Sequence, residues 1–188
     1  MRRGPGEGRP FLAAANGGVF ASVHQPPLAP DVFLSLDVEV AEDWRAKEHR
    51  SYFLWEFGKL PELVVEIVSR QQGGELERKL RAYARMGVNY YVVYDPLRQI
   101  QPRPLRVDAR HIHGFGQTEE RFFAPLGLGL MLWLGVYENK EADWLRWPLP
   151  DGSWVWTGAE QRQRADRERA RAERLAAQLR ARGISPEE

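Results

Sequence analysis

The stretch from Pro61 to Pro96, PELVVEIVSRQQGGELERKLRAYARMGVNYYVVYDP, limits the possible folds more than any other part of the chain. Leu63-Val64-Val65-Glu66-Ile67-Val68 is a nearly continuous β-branched run, as expected of a strand buried on both faces. Tyr90-Tyr91-Val92-Val93-Tyr94 is a second such run, stopped at Asp95-Pro96 because proline cannot continue a ladder. Between them the spacing predicts a helix from Glu75 to Met86, closed by Gly87 in a left-handed cap. Two buried strands joined by a helix make a βαβ crossover, so this part of the sheet should be parallel.

Two residues break the apolar pattern of this unit. Glu66 shares a strand face with Val64 and Val68 if side chains alternate. A carboxylate there must be paired, metal-bound or protonated, since burying a lone charge costs several kcal/mol, in round numbers. On the helix, Leu76, Leu80 and Tyr83 form the apolar stripe, and Lys79 falls within it and should face the sheet. From these residues alone, three readings stand open: a functional pair, a buried salt bridge, and a Lys79 stem that reaches back out to solvent. Lysine is rare here (only positions 47, 59, 79 and 140) while arginine is abundant, which favours a specific need for a compact ammonium at position 79.

Elsewhere the sequence is less specific. Residues 1–10 read as a flexible Gly/Pro-rich leader. Short apolar pieces flank a turn at Asn16-Gly17-Gly18, and Val32 to Leu36 begins a strand directly after Pro30-Asp31. Asp31 thus stands at a strand entrance, where a turn-capping role is the ordinary one. Residues 38–60 are expected to leave the sheet, helical around 41–49, with Trp44, Tyr52, Phe53 and Trp55 anchoring the excursion and Gly58 marking its return. His111 and His113 are expected on one strand face, a spacing that can bind metal, although no third ligand is evident and a solvent-facing pair is the simpler reading. Leu126–Tyr137 and Trp144–Trp156 read as short strands with a turn at Asp151-Gly152, the tryptophans covering a sheet edge. From 158 to 188 the chain becomes a charged tail, one long helix whose Ala165, Ala172, Leu175 and Leu179 suit either a coiled-coil homodimer or a single solvated helix. Its arginines exceed its acids, but the acids are interspersed, which weakens a phosphate-binding reading.

Composition excludes several classes of function. With no cysteine there are no disulfides, thiolate metal sites or cysteine nucleophiles, which suits a cytoplasmic address. No signal peptide and no membrane span are expected, the most apolar run (126–136) being short and broken by glycines. A net charge of +1 gives no global pull on nucleic acid.

Pro30-Asp31-Val32, then Pro61-Glu62 through Ser69, Lys79 with Tyr83, Gly87-Val88 and Tyr91 through Pro96 together resemble the Uma-type restriction endonuclease family, within the PD-(D/E)XK nuclease superfamily. The resemblance spans roughly residues 11–136. It implies an α/β fold, a restriction-endonuclease-like mixed β-sheet flanked by helices, here over residues 11–157 with the charged C-terminal helix beyond. It implies hydrolysis of DNA phosphodiester bonds with magnesium (or manganese) held by Asp31 and Glu66. The catalytic lysine usually lies two residues after the acid, where this chain has Val68. The resemblance assigns that role to Lys79, with Glu62 and Ser69 as accessory groups. It also implies a helix and further strands ahead of the Pro-Asp strand, so the N-terminal part is expected to be shortened. The rival expectation is a catalytically degenerate nuclease-fold protein that binds nucleic acid or a protein partner.

Overall fold

A computed structural model describes residues 9–39, 51–69 and 74–182. Residues 1–8 of the leader expected over 1–10, the helix around 41–49 with Trp44, and the tail end at 183–188 lie outside the described residues, while Arg9 and Pro10 are not a free leader but bond Asp37. The chain divides into two compact units, residues 1–153 and 154–188.

In the first unit the strands are β1 (Phe11–Ala15), β2 (Val19–Phe20), β3 (Val32–Leu36), β4 (Tyr52–Phe53), β5 (Leu63–Ile67), β6 (Tyr90–Tyr94), β7 (Leu105–His111), β8 (Gly114–Thr118), β9 (Phe122–Phe123), β10 (Leu128–Gly129), β11 (Met131–Tyr137) and β12 (Lys140–Arg146). Six of them form one sheet in the order β1-β3-β5-β6-β7-β8. Only β5 and β6 are parallel within it; every other neighbouring pair is antiparallel. The mixed sheet follows from the chain's connections. The β5–β6 link carries a helix, whereas β7 and β8 are joined by a tight turn.

The β5–β6 connection is a wide π-helical turn over Glu75–Lys79 running into helix α2, Leu80–Met86, with a shorter helix α1 (Leu54–Phe57) preceding β5. Gly87 ends α2 at φ 104°, its N–H bonded to the Tyr83 carbonyl at 3.0 Å. That positive φ is open to glycine and strained for other residues, which is why the helix stops here. Tyr83 packs with Val64, Val68, Tyr91 and Val93 in the core, so α2 covers the sheet face that also carries Glu66. The other face is covered by β-structure and loops: Tyr90 stacks on Phe123 at 4.5 Å, and the Tyr94 hydroxyl bonds the Asp143 carbonyl of β12. The fold is therefore the expected restriction-endonuclease-like mixed α/β sheet, with its helix on one face.

Three expectations are corrected. Trp55 is about half exposed and leans on Phe53, while Tyr52 is the buried anchor. His113 lies in the turn after β7, so it does not share a strand face with His111. Residues 154–156 form no strand; β11 instead pairs with β12 through the two-residue turn Glu138-Asn139, both at positive φ. The Asp151-Gly152 turn is present, closed by the Leu149 N–H to the Ser153 carbonyl and by the Gly152 N–H to the Leu149 carbonyl.

The second unit is helix α3, Gly158–Ala181. It starts with a reciprocal capping box: the Thr157 hydroxyl accepts from Glu160 N–H, and Glu160 accepts from Thr157 N–H. No residue of α3 is buried. Among the described residues no helix is long and apolar enough to cross a membrane.

Candidate active site

The β3–β5 register pairs Val32 with Val65, and the next positions on the two strands are Asp31 and Glu66. Directly opposed residues of an antiparallel pair point to the same face, and continuing the register by one position puts Asp31 on the Glu66 face, near enough for its charge to act on Glu66. Asp31 Oδ2 accepts the Ile67 N–H at 2.6 Å, tying the start of β3 to the end of β5. Glu66 is 1% exposed. Its Oε2 receives Lys79 Nζ at 2.6 Å, and its Oε1 accepts the Tyr83 hydroxyl at 2.9 Å. Burial raises the Glu66 pKa above the ordinary glutamate range, opposed by the Lys79 and Tyr83 bonds and reinforced by the Asp31 charge. Tyr83 is pushed up too, by burial first and then by Glu66, so its hydroxyl stays protonated and donates.

Local backbone geometry puts Lys79 in place. Gly74 stands at φ 79°, and its carbonyl accepts the Lys79 N–H at 3.0 Å, a five-residue span that widens the first turn. Turns of this kind are frequent at functional sites. The same turn buries Glu75 to 4% exposure and brings its Oε1 to 3.8 Å from Lys79 Nζ. The Tyr91 hydroxyl holds the Glu75 carbonyl at 2.8 Å, pinning the turn to the sheet. Lys79 thus lies between two buried carboxylates and is much closer to Glu66.

Of the residues singled out from sequence, Asp31, Glu66 and Lys79 come together, and Glu62 and Ser69 do not join them. Glu62 lies four residues back along the chain, roughly 13 Å in an extended strand. Its carboxylate accepts the Leu36 N–H at 2.9 Å and pairs with Lys59. Ser69 is exposed past the end of β5, its carbonyl accepting Gln99 Nε2 at 3.3 Å.

Three features were missed from sequence. Tyr83 was read as core alone, yet it also bonds Glu66. Glu75 resembles an ordinary acid in the first turn of a helix. The third is a pair on β7 with one buried member: Asp108, 1% exposed, takes Arg106 Nε at 2.7 Å and Nη2 at 2.8 Å. Opposite charges two apart on a strand share a face, a signal present in Leu105-Arg106-Val107-Asp108.

The donors fit a hard divalent cation. Each ionised carboxylate offers about four lone-pair sites, of which the hydrogen bonds described above use two on Glu66 and one on Asp31. Among the described residues no three acidic or histidine side chains cluster to hold a metal, so those residues would contribute two carboxylates. Magnesium is commonly bound in this way, with waters and substrate phosphate completing its shell.

No curated protein matches the chain. A family model, Uma2, described as "Putative restriction endonuclease", matches residues 7–128, well over half of the 188. That span contains Asp31, Glu66, Lys79 and every strand of the six-stranded sheet. The chain belongs to the Uma2 restriction endonuclease family, which makes a nuclease its expected kind of activity.

Proposed function

We propose that the protein is a metal-dependent endonuclease that hydrolyses DNA phosphodiester bonds at the Glu66 centre. The observation that carries this reading is the 2.6 Å contact of Lys79 with a nearly inaccessible Glu66, which also feels the Asp31 charge. A purely apolar face would be at least as stable as a buried ion pair, so the charges call for a use.

Asp31 and Glu66 would hold magnesium or manganese through their free lone pairs. When bound, that ion supplies Lewis acidity, activating water and neutralising charge on the phosphodiester. The chain's own groups do the rest. Lys79 brings a compact ammonium next to the reacting phosphate, where it donates to a non-bridging oxygen as water adds to phosphorus and the bond to the leaving sugar oxygen breaks. Tyr83 fixes the rotamer of Glu66 by holding Oε1, and Glu75 keeps Lys79 from swinging out to solvent.

The test is nicking of supercoiled plasmid with magnesium or manganese, comparing wild type with Glu66→Gln and Lys79→Ala. The expected outcome is metal-dependent nicking that each substitution lowers by about 100-fold or more. A second reading has one observation in its favour: both Glu66 oxygens are already engaged within the chain. Folded wild-type protein that nicks no more than the variants would establish that reading, a nuclease fold that binds without cutting.

A further inference from the structure

From Glu66, one position past the last β3–β5 pair, a row runs across the sheet: Glu66 pairs with Val93, and Val93 pairs with Arg106. Residues in one such row point to the same face. The face that carries the two carboxylates therefore also carries a guanidinium, two strands away. At roughly 4.8 Å per strand this is about 10 Å, or some three nucleotide steps of a DNA strand at ~3.4 Å each.

Arg106 is both oriented and accessible. Buried Asp108 takes its Nε and one Nη2 hydrogen in a two-pronged bond, which fixes the plane of the guanidinium. The Arg106 side chain keeps 25% exposure, against 2% for Asp108. The hydrogens of Nη1 find no acceptor among the described residues, and one Nη2 hydrogen also remains. Packing does not require this arrangement, because an apolar pair in these positions would be no less stable. Arginine is also the residue whose planar fork matches the oxygens of a phosphate, which a lysine would meet only as a point charge.

We propose that Arg106, oriented by Asp108, binds a phosphodiester of the substrate backbone beside the Glu66 centre. Arg106 touches the substrate; Asp108 is a positioning residue. The proposal rests on the nuclease reading and extends it by naming the side on which the uncut part of the strand lies: the β7 side of the Glu66 centre, where Arg106 reaches the surface.

Labelling of the wild-type protein with an arginine-specific dicarbonyl, read by mass spectrometry with and without a short DNA duplex in chelator, needs no variant to fold. Arg106 should label in the free protein and be protected several-fold by saturating duplex. In a Glu66→Gln background, Arg106→Gln should weaken duplex binding about tenfold and lower the salt slope by about one. Arg106→Lys should keep the slope but not the affinity, and Asp108→Asn should weaken affinity with the slope unchanged. A duplex that binds wild type yet leaves Arg106 labelling unchanged overturns this assignment alone. Wild type that binds no duplex overturns it together with the nuclease reading, and loss of nicking with Arg106 still protected overturns only the catalytic claim.

Discussion

At the residue scale the Glu66–Lys79 pair links stability to pH. Burial holds the folded-state pKa of Glu66 above its unfolded value, so between the two values the folded protein binds more protons. Stability from this residue is therefore full below the unfolded pKa, falls as pH rises through the folded one, and is level beyond it. Glu66→Gln removes the slope, and urea unfolding at pH 4.5 and pH 8 should show the variant gaining on wild type at the higher pH. Lys79→Met takes away the ammonium that opposes the rise and should cost roughly 3–5 kcal/mol at pH 8. The cost should be smaller at pH 5, where Glu66 can take a proton, and in the double variant it should largely vanish. Equal costs at both pH values would mean that Glu66 stays charged and well solvated, contrary to its burial. Glu66 and Lys79 were legible because each interrupts an apolar pattern whose period fixes the direction of its side chain. Arg106 and Asp108 interrupt a pattern too, but a strand that alternates polar and apolar residues reads as half-exposed, so the burial of Asp108 was hidden. Glu75 was hidden for a similar reason, since acids are ordinary near the start of a helix.

At the element scale, β5, the helix and β6 were readable to within a residue or so, because two β-branched runs, a helical stripe and a glycine cap agree with one another. The π-helical opening was not readable. Over five residues the wider turn shifts side-chain positions too little for an apolar pattern to reveal it. The hairpin of β11 and β12 was missed for a different reason. Its turn, Glu138-Asn139, has Tyr137 paired with Lys140 and both turn residues at positive φ, the geometry of a type I′ turn. Sequence signals for that turn rely on Asn-Gly or Asp-Gly, and glutamate at the first position gives none. The Asp151-Gly152 dipeptide carries the expected signal and does form a turn, but leads to no strand. The strain at Glu138 gives a prediction. Glu138→Asn with Asn139→Gly suits the observed backbone and should raise stability by about 1 kcal/mol, seen as a higher Tm by circular dichroism. An unchanged or lower Tm would mean that the hairpin forms too late, or opens too easily, for its turn to affect global unfolding.

At the scale of the whole molecule, the two units draw stability from different sources. The sheet unit buries Phe33, Val64, Tyr83, Tyr91 and Val93 in one core, whereas α3 has no buried residue. Helical stability in proteins comes mostly from packing an apolar face, so α3 depends on its own propensity, its capping box and any partner. A second copy along Ala165, Ala172, Leu175 and Leu179 would be the obvious partner, and magnitudes argue against it at ordinary concentrations. Only the two leucines are large, and Leu175 is 51% and Leu179 36% exposed, so pairing would bury part of each. Fully burying a leucine contributes about 1.5–3 kcal/mol, so four half-buried ones give roughly 3–6 kcal/mol. Association costs an estimated 4–15 kcal/mol, which leaves little or no surplus. Hydrogen exchange read by mass spectrometry should therefore show α3 amides exchanging far faster than those of β5 and β6, and equally fast at low and high protein concentration. Thr157→Ala should speed them further, since losing such a cap costs about 1 kcal/mol of helix stability. Slow exchange that grows slower with concentration, and that Leu175→Glu with Leu179→Glu abolishes, would show instead that two chains pair through this helix.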